Sequence, residues 1–575
     1  EAAWMAALVL VPVFFNLYSS RLFEPDKVAL LRSLALLILA AWVVKVFESG
    51  GFSLSGERRL QWRQLPGQWL RQPLVIPLLL LVLALLLATL FSVAPATSLW
   101  GSYQRLQGAY TTLAYLVVFA SLAANLRRPE QLARLVSAAI LASLPVSLYG
   151  ILQHLGADPI PWSTDVSGRV TATLGNSIFV AAYLIMVFPL ALLRAIEAIE
   201  AALAKGTHFW LHFTRALIYL LILLLQALTI FFSGSRGPWL GLGAGLVVVA
   251  LGVALIWRKR WMAISGVALA LAAGVFLVLL NLPNGPLQSL RQQPGFSRLG
   301  ELLNAQSRTG RVRTLVWQGA LDMVLPHAPL EYPDGHTDPF NFLRPLVGYG
   351  PESMYVAYPR FLKPELYQVE DRNASSDRSH NETWDALITS GVLGLAAYLA
   401  LFGQLLYYGL KWLGWVPGAK ARQRYLAFYL GGGIISTAVL VAAFGWHYFG
   451  VALPFGMIFG VILYLAATAL SPHARPESAA RKSLAPGAAS AASSMRARGV
   501  RLRDRSTSSF LAAMIRSRIM AWLNCGSFQS GLGAFWRRPR CRCTPRRRQR
   551  PRGAFRPGPR PRWPGRRSGA RSSSR

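Results

Sequence analysis

Cysteine is almost missing from this sequence. The 575 residues include three cysteines, and all of them lie after residue 520. The first 470 residues therefore offer neither a disulfide nor a cysteine-bound zinc site. The chain also lacks a Walker loop, a dinucleotide-binding fingerprint, an Asp-x-Asp metal motif and a zinc motif. The sequence thus gives no sign of a nucleotide, a cofactor or a metal site.

Acidic residues are scarce in the C-terminal tail. Residues 471–575 hold 26 of the 60 Lys and Arg residues but only two acids, and the whole chain has a net charge of +36. Arginine runs mixed with Pro, Gly and Ser cannot bury enough apolar surface to fold, so we expect the tail to be disordered. The one exception is a possible basic amphipathic helix at 506–524 that could lie on anionic lipid. The tail either contacts anionic lipid or nucleic acid, or is an out-of-frame reading of GC-rich DNA. The abrupt change in composition after Leu470 favours the second interpretation, so we expect no nucleic-acid partner.

Long hydrophobic runs dominate the rest of the chain. Hydrophobic residues make up 53% of the sequence, and many runs approach the ~20 residues that span a bilayer as a helix. This pattern predicts an all-α polytopic membrane protein with about 12 transmembrane helices. The first residue is Glu1 and not Met, so the start is either processed or missing, and we expect no cleavable signal peptide. The predicted spans are 2–18, 28–47, 74–91, 109–124, 135–155, 177–194, 216–232, 239–257, 261–280, 386–408, 425–444 and 448–469.

Positive charge predicts the orientation of these spans. The short loops after the even-numbered spans carry most of the loop Lys and Arg, which is typical of the cytoplasmic side. The short loops after the odd-numbered spans carry only Arg21, Lys27, Arg105, Arg169 and Arg236. We therefore expect both termini in the cytoplasm and residues 281–385 outside.

Residues 281–385 form the longest polar interval, between spans nine and ten. Within this interval, 308–324 has helical spacing that places Leu315, Ala320 and Val324 on one face. We expect a mostly helical extracytoplasmic loop domain at 281–385. It would separate the transmembrane regions 1–280 and 386–470, which the basic tail at 471–575 follows.

The loop ends in a polar stretch that contains His380. Ser379 and Glu382 have the spacing of a capping box, which predicts that a helix starts here with His380 in its first turn. The positive end of a helix dipole disfavours imidazolium, so the ring would be neutral and able to act as a general base. The alternative is that His380 is a polar loop residue that only helps to start the helix.

Arg105, Arg169 and Arg236 lie on the predicted outer side, where the positive-inside bias disfavours them. Each lies near Gly or Ser, and the planar guanidinium suits phosphate. A single one could simply reach lipid phosphates at the interface, but three on one side favour a shared anionic ligand. A second basic group, Arg308, Arg311 and Arg313, begins the predicted helix 308–324 and could equally be solvated surface.

Seven short motifs follow one another along residues 1–470. They are Trp100-Gly-Ser-Tyr-Gln-Arg105, Arg169 with Gly175-Asn176, Ser233-Gly-Ser-Arg236-Gly237, Arg311 with Trp317 and Ala320, Pro345-Leu-Val-Gly-Tyr-Gly350, Ser379-His380-Asn381, and Gly391-Val-Leu-Gly394. Together with the long loop between spans nine and ten, this ordered set resembles the O-antigen ligase and polymerase-like superfamily of bacterial envelope polysaccharide enzymes.

The resemblance implies a GT-C-like, multi-pass glycosyltransferase of the bacterial inner membrane. Such an enzyme takes a glycan from a polyprenyl-diphosphate carrier, passes it to a glycan or lipid acceptor among membrane lipids, and needs no metal or cofactor. The superfamily also contains polymerases and proteins once described as inorganic carbon transporters, and the motifs do not separate these functions. A secondary transporter would need ionisable residues near the bilayer midplane, which the predicted spans rarely contain.

The resemblance also implies roles for individual residues. His380 matches the loop histidine taken as catalytic, and Arg236 and Arg311 match arginines taken to hold the donor diphosphate. We add Arg169 and Arg105 as further diphosphate-binding residues. Ser379, Asn381 and Glu382 would support the histidine.

Overall fold

The computed structural model describes most of the first 471 residues. The described ranges are 1–19, 21–48, 70, 73–126, 128–162, 165–204, 208–282, 285–293, 296–297, 299–300, 307–370, 376–416 and 418–471. The tail with its predicted amphipathic helix, and the basic loop at 49–69, lie outside the described residues.

Helices form nearly all of the regular structure in this part of the chain. The longer ones are α1 (Ala2–Val13), α2 (Glu24–Glu48), α3 (Val75–Leu90), α4 (Pro95–Trp100), α5 (Ala109–Asn125), α6 (Pro129–His154), α7 (Ser177–Leu203), α8 (Phe209–Phe232), α9 (Arg236–Trp257), α10 (Arg260–Asn281), α11 (Arg308–Val324), α12 (Glu382–Trp412), α13 (Ala419–Leu426), α14 (Gly432–Phe444) and α15 (Phe449–Leu470). A π-helical segment, Ala427–Gly431, joins α13 to α14. The described residues contain no β-strand, only one isolated bridge between Glu331 and Thr337.

Nine helices of the described chain are long and apolar enough to cross a membrane. Three predicted spans, 2–18, 74–91 and 109–124, instead fall on the shorter apolar helices α1, α3 and α5. The protein is therefore an all-α polytopic membrane protein, as predicted, while the count of twelve spans stays a prediction.

Small residues let the apolar helices approach one another. A Cβ on Gly456 of α15 would lie 2.5 Å from the carbonyl oxygen of Gly433 on α14, and a Cβ on Gly460 would lie 2.6 Å from that of Tyr429. On α7, alanines occupy much of the buried face. Close backbone approach through small residues is the usual way in which helices pack in lipid, where apolar burial alone gives little driving force.

The loop segment 281–385 shares a core with α12. The predicted helix 308–324 is present as α11 and buries Leu315 and Ala320. Trp317 of α11 and Trp384 of α12 lie in the same buried hydrophobic cluster. Because the loop segment and the membrane helix bury each other's aromatic side chains, the end of α12 is held in a fixed position beside α11.

Helix α12 is interrupted at Gly391, which has φ +64° and ψ −165°. A Cβ there would lie 2.2 Å from the backbone of the facing segment 345–350, so glycine fits where other residues would clash. That segment also supplies hydrogen bonds, since the Tyr349 N–H donates to the Ile388 carbonyl at 2.7 Å. A broken membrane helix is tolerated where protein groups complete its backbone bonds. Two of the seven motifs, 345–350 and 391–394, therefore meet at this break.

A cysteine placed at Asp334 should react with a membrane-impermeant thiol reagent in intact spheroplasts. The Asp334 side chain is 65% exposed, and the first 470 residues contain no cysteine that would compete once the three tail cysteines are replaced by serine. Lys420→Cys, in an exposed position between α12 and α14, is the matched control and should react only after lysis. The opposite pattern would place the loop segment in the cytoplasm and contradict the charge-based orientation.

Candidate functional site

The loop that carries His380 is fixed from both sides. The Ser379 side chain is fully buried, and its hydroxyl and N–H donate to one carboxylate oxygen of Asp385 at 2.7 and 2.8 Å. From the other side, Trp317 Nε1 of α11 donates to the Ser379 carbonyl at 3.0 Å. Because these bonds hold the residue directly before His380, they fix the backbone position from which the His380 side chain extends.

The predicted capping box at Ser379 is wrong. Helix α12 begins at Glu382, and the Asn381 side chain caps it by accepting from the N–H groups of Thr383 and Trp384 at 3.1 and 3.4 Å. The Ser379 hydroxyl instead accepts from the N–H of Asn381 at 3.2 Å, before the helix begins, and donates to Asp385. His380 therefore lies before the helix rather than in its first turn, in the left-handed region with φ +54°. A non-glycine residue in this region carries backbone strain, which is common at functional sites.

His380 is exposed, and two carboxylates and two guanidinium groups lie near its imidazole. Desolvation by the surrounding protein lowers its pKa, although Asp385 and Asp377 act to raise it. The positive charges of Arg313 and Arg105 also lower the pKa of His380. A pKa below the usual value keeps the ring neutral at neutral pH, which is the form that can accept a proton.

Arg313, and not Arg311, faces the site. Burial lowers the pKa of Arg313, and the nearby positive charge of Arg236 lowers it further. Arg311 is exposed, and a step of two residues turns an α-helix by about 200°, so the two side chains point in different directions. Arg308 donates to the Val369 carbonyl at 2.8 Å and ties α11 to the loop segment. The arginine preferred from the resemblance is therefore not the one that lies beside Arg236.

Arg169 and Arg236 come from loops that touch. Arg169 Nε donates to the Ser233 carbonyl at 3.2 Å, in the tight turn before α9. Arg236 is the first residue of α9, and Pro238 lies in the first turn of this helix, where proline is favoured. The structure thus brings Arg169, Arg236 and Arg313 together from three separate segments. We call these three residues the arginine cluster.

Arg105 is engaged inside the protein. Its guanidinium lies 2.6 Å from Asp377 and 3.5 Å from Glu24. Both carboxylates raise the pKa of Arg105, against the effect of burial. Because Asp377 is three residues before His380, this ion pair anchors the histidine loop, and Arg105 lies apart from the arginine cluster.

A carboxylate that sequence reasoning missed organises the motif 100–105. Glu352 Oε2 accepts from the N–H groups of Ser102 and Gln107 at 2.5 and 3.2 Å. Its other oxygen lies 3.6 Å from Arg378, which also donates to the Gln107 side chain at 2.9 Å. Glu352 lies two residues after the motif 345–350, and this proximity was the one available signal in the sequence.

A cavity of about 250 Å³ opens beside the histidine loop, between α3, α5 and α12. Its apolar wall comes from membrane helices, and its polar end comes from the loops and the start of α12. We call it the acidic cavity because four carboxylates and one guanidinium line its polar end. These residues are Glu352, Asp377, Arg378, Glu382 and Asp385, and the apolar wall includes Leu81, Leu85 and Leu116.

A family model described as O-antigen ligase matches residues 221–331. The match covers about a fifth of the chain, and we call this segment the O-antigen ligase domain. This match confirms the resemblance to the O-antigen ligase and polymerase-like superfamily, whose substrates are lipid-linked glycans. The O-antigen ligase domain includes Arg236 and Arg313 but ends before His380 and begins after Arg105 and Arg169. No curated protein matches the chain significantly.

The residues around the O-antigen ligase domain combine a neutral histidine, a cluster of guanidinium groups and a cavity with carboxylates. Among the described residues, no group of three or more His, Cys, Asp or Glu side chains is placed to hold a metal ion. The arrangement can accept a proton at His380 and stabilise an anion at the arginine cluster. Such a pairing suits a displacement in which a nucleophile loses a proton and the leaving group gains negative charge.

Proposed function

We propose that this protein transfers a glycan from a polyprenyl-diphosphate carrier to an acceptor hydroxyl at the outer face of the cytoplasmic membrane. The observation that supports this most is the convergence of His380 with Arg236 and Arg313. The three residues come from the ends of different helices. The charge of Arg313 acts on His380, and the charge of Arg236 acts on Arg313. A proton acceptor beside an anion site is what this reaction requires, and the O-antigen ligase domain supplies two of the three residues.

In the proposed reaction the acceptor hydroxyl attacks the anomeric carbon of the donor sugar. His380 takes the proton as the new C–O bond forms. The bond from the anomeric carbon to the diphosphate oxygen breaks, and the electron pair leaves with the polyprenyl diphosphate. Energy comes from this activated bond, so the step needs no nucleotide, and we propose that it needs no metal.

The arginine cluster would stabilise the leaving group. Negative charge grows on the diphosphate as its bond to the sugar breaks, and preorganised donors help most where charge develops. Arg236 and Arg313 would bind the diphosphate oxygens directly, and Arg169 would hold the turn before α9 in place through its bond to Ser233. Arg105, which is bound to Asp377, would position the histidine loop.

The ion pairs of the described chain support transfer rather than transport. The only pair within one apolar helix joins Arg194 and Glu197, near the end of α7. Transport through the bundle would require ionisable groups near the midplane. The O-antigen polymerase reaction, in contrast, uses the same chemistry and differs only in the acceptor.

Purified protein should transfer an oligosaccharide from a polyprenyl-diphosphate-linked donor to an acceptor, with or without a metal chelator. In cells that lack the protein, lipid-linked glycan should accumulate. A long chain of repeats would indicate a ligase, and a single repeat would indicate a polymerase. Absence of any transfer by well-folded protein, together with an unchanged pool of lipid-linked glycan in the deletion strain, would contradict the proposed function.

A further inference from the structure

We propose that the acidic cavity binds the acceptor and that Glu382 holds an acceptor hydroxyl, which selects an uncharged or amino-bearing glycan over a phosphorylated one. This inference rests on the proposed function and adds the substrate class of its second substrate. It concerns the side of the histidine loop away from the arginine cluster, since none of those three arginines lines the cavity.

The cavity lies beside the residues that flank His380 in the chain, although His380 itself does not line it. Asp377 and Glu382 are close to His380 on either side in the chain, and both line the cavity. Asp385, one turn into α12, fixes the loop through Ser379 and also lines the cavity. The charges of Asp377 and Asp385 act on the imidazole of His380, so a glycan seated among these side chains would lie near that ring.

Three of the four carboxylates already have structural partners. Asp377 binds Arg105 at 2.6 Å, and Asp385 accepts from the Ser379 hydroxyl at 2.7 Å. Glu352 accepts from two backbone N–H groups of the loop at 102–107. For Glu382, the described residues provide neither a hydrogen bond nor an ion pair, although its side chain is exposed at the cavity. Its carboxylate is therefore the one whose oxygens can accept hydroxyls of a bound sugar.

A second cavity touches the same residue from the other face of α12. It has a volume of about 250 Å³, and it lies between α12 and α15, with Leu395, Leu399 and Met457 in its lining. Glu382 and Tyr398 line both cavities.

The charge of the acidic cavity determines which acceptor it can take. Carboxylates accept hydrogen bonds from hydroxyl and ammonium groups, whereas a phosphate placed among them is repelled. The single guanidinium in the lining, Arg378, is already bound to Glu352 and Gln107. The apolar wall from α3 and α5 can contact the apolar face of a sugar ring or the lipid that carries it.

The test uses purified protein, a polyprenyl-diphosphate-linked oligosaccharide donor, and two acceptor oligosaccharides that differ only by one phosphate group. Wild-type protein should favour the uncharged acceptor. Glu382→Gln should raise the KM for that acceptor by about tenfold, as expected for loss of one charged hydrogen bond, and should leave the KM for the donor unchanged. Glu382→Asp should restore part of the loss. Glu365→Gln, the same change at an exposed residue of the loop segment, should behave as wild type.

The outcomes separate this inference from the proposed function. A preference of the wild type for the phosphorylated acceptor would overturn the inference. So would an unchanged acceptor KM in folded Glu382→Gln, or a defect confined to the donor, and each of these results would leave the proposed function standing. Failure of the wild type to use either acceptor would instead overturn the proposed function and the inference with it.

Discussion

Replacing Arg313 with alanine should weaken binding of a polyprenyl diphosphate analogue by about 1–3 kcal/mol, the usual contribution of a charged hydrogen bond. Arg313 is partly buried and lies close enough to Arg236 for their charges to interact. Bringing two guanidinium groups together is unfavourable unless an anion binds between them, so the cluster should gain most from the diphosphate.

Arg311→Ala is the matched control for that experiment. It removes the same side chain from the same helix, two residues away, at an exposed position. We expect it to change binding by no more than about 0.5 kcal/mol, as is usual for a surface substitution. Equal losses in the two variants, or a larger loss for Arg311→Ala, would show that the diphosphate binds on the other face of α11.

His380→Ala should lower the transfer rate by at least about 100-fold, the smaller end of the range for a general base. Donor affinity should stay near the wild-type value, because the ring acts on the acceptor proton. His336→Ala, at a well-exposed histidine of the loop segment, is the control for removing an imidazole. Near-normal turnover by folded His380→Ala protein would show that His380 is not the general base.

The pH dependence of the wild type should agree with the same assignment. The reaction needs neutral His380, so the rate should fall as the pH drops through the pKa of this group. Because desolvation and the neighbouring arginines lower that pKa, the fall should occur at a lower pH than for an ordinary histidine.

Local sequence patterns predicted the helices. They did not predict which of several neighbouring polar side chains caps a helix. The apolar runs and the helical spacing of 308–324 led to the correct elements, since burial of one face decides both. The start of α12 was misplaced because Ser379 and Asn381 can both cap a helix. Only the structure shows that the Ser379 hydroxyl accepts from the Asn381 N–H, while the Asn381 side chain caps the helix.

Which of Arg311 and Arg313 lies beside Arg236 was partly predictable from the sequence. Arg313 lies four residues before Trp317, so the two share a face of the helix, and Trp317 is buried. Applying the helical period to the arginines as well as to the apolar residues would have selected Arg313. The resemblance to a family pointed to Arg311 because a motif match does not include the direction in which a helix faces.

Contacts between distant segments could not be predicted from the sequence. Arg105 pairs with Glu24 and with Asp377, which is 272 positions away. No local rule connects such residues, because the packing of the helices decides which loop ends meet. The acidic cavity is likewise visible only once α3, α5 and α12 are assembled.

The central claim is that one site holds the donor diphosphate at Arg236 and Arg313 while His380 acts on the acceptor. The most direct test measures transfer rate and donor affinity side by side for purified His380→Ala and Arg313→Ala proteins. The account predicts a split, in which His380→Ala loses rate with donor affinity retained and Arg313→Ala loses donor affinity. The same defect in both folded variants, or normal donor affinity in Arg313→Ala, would contradict it.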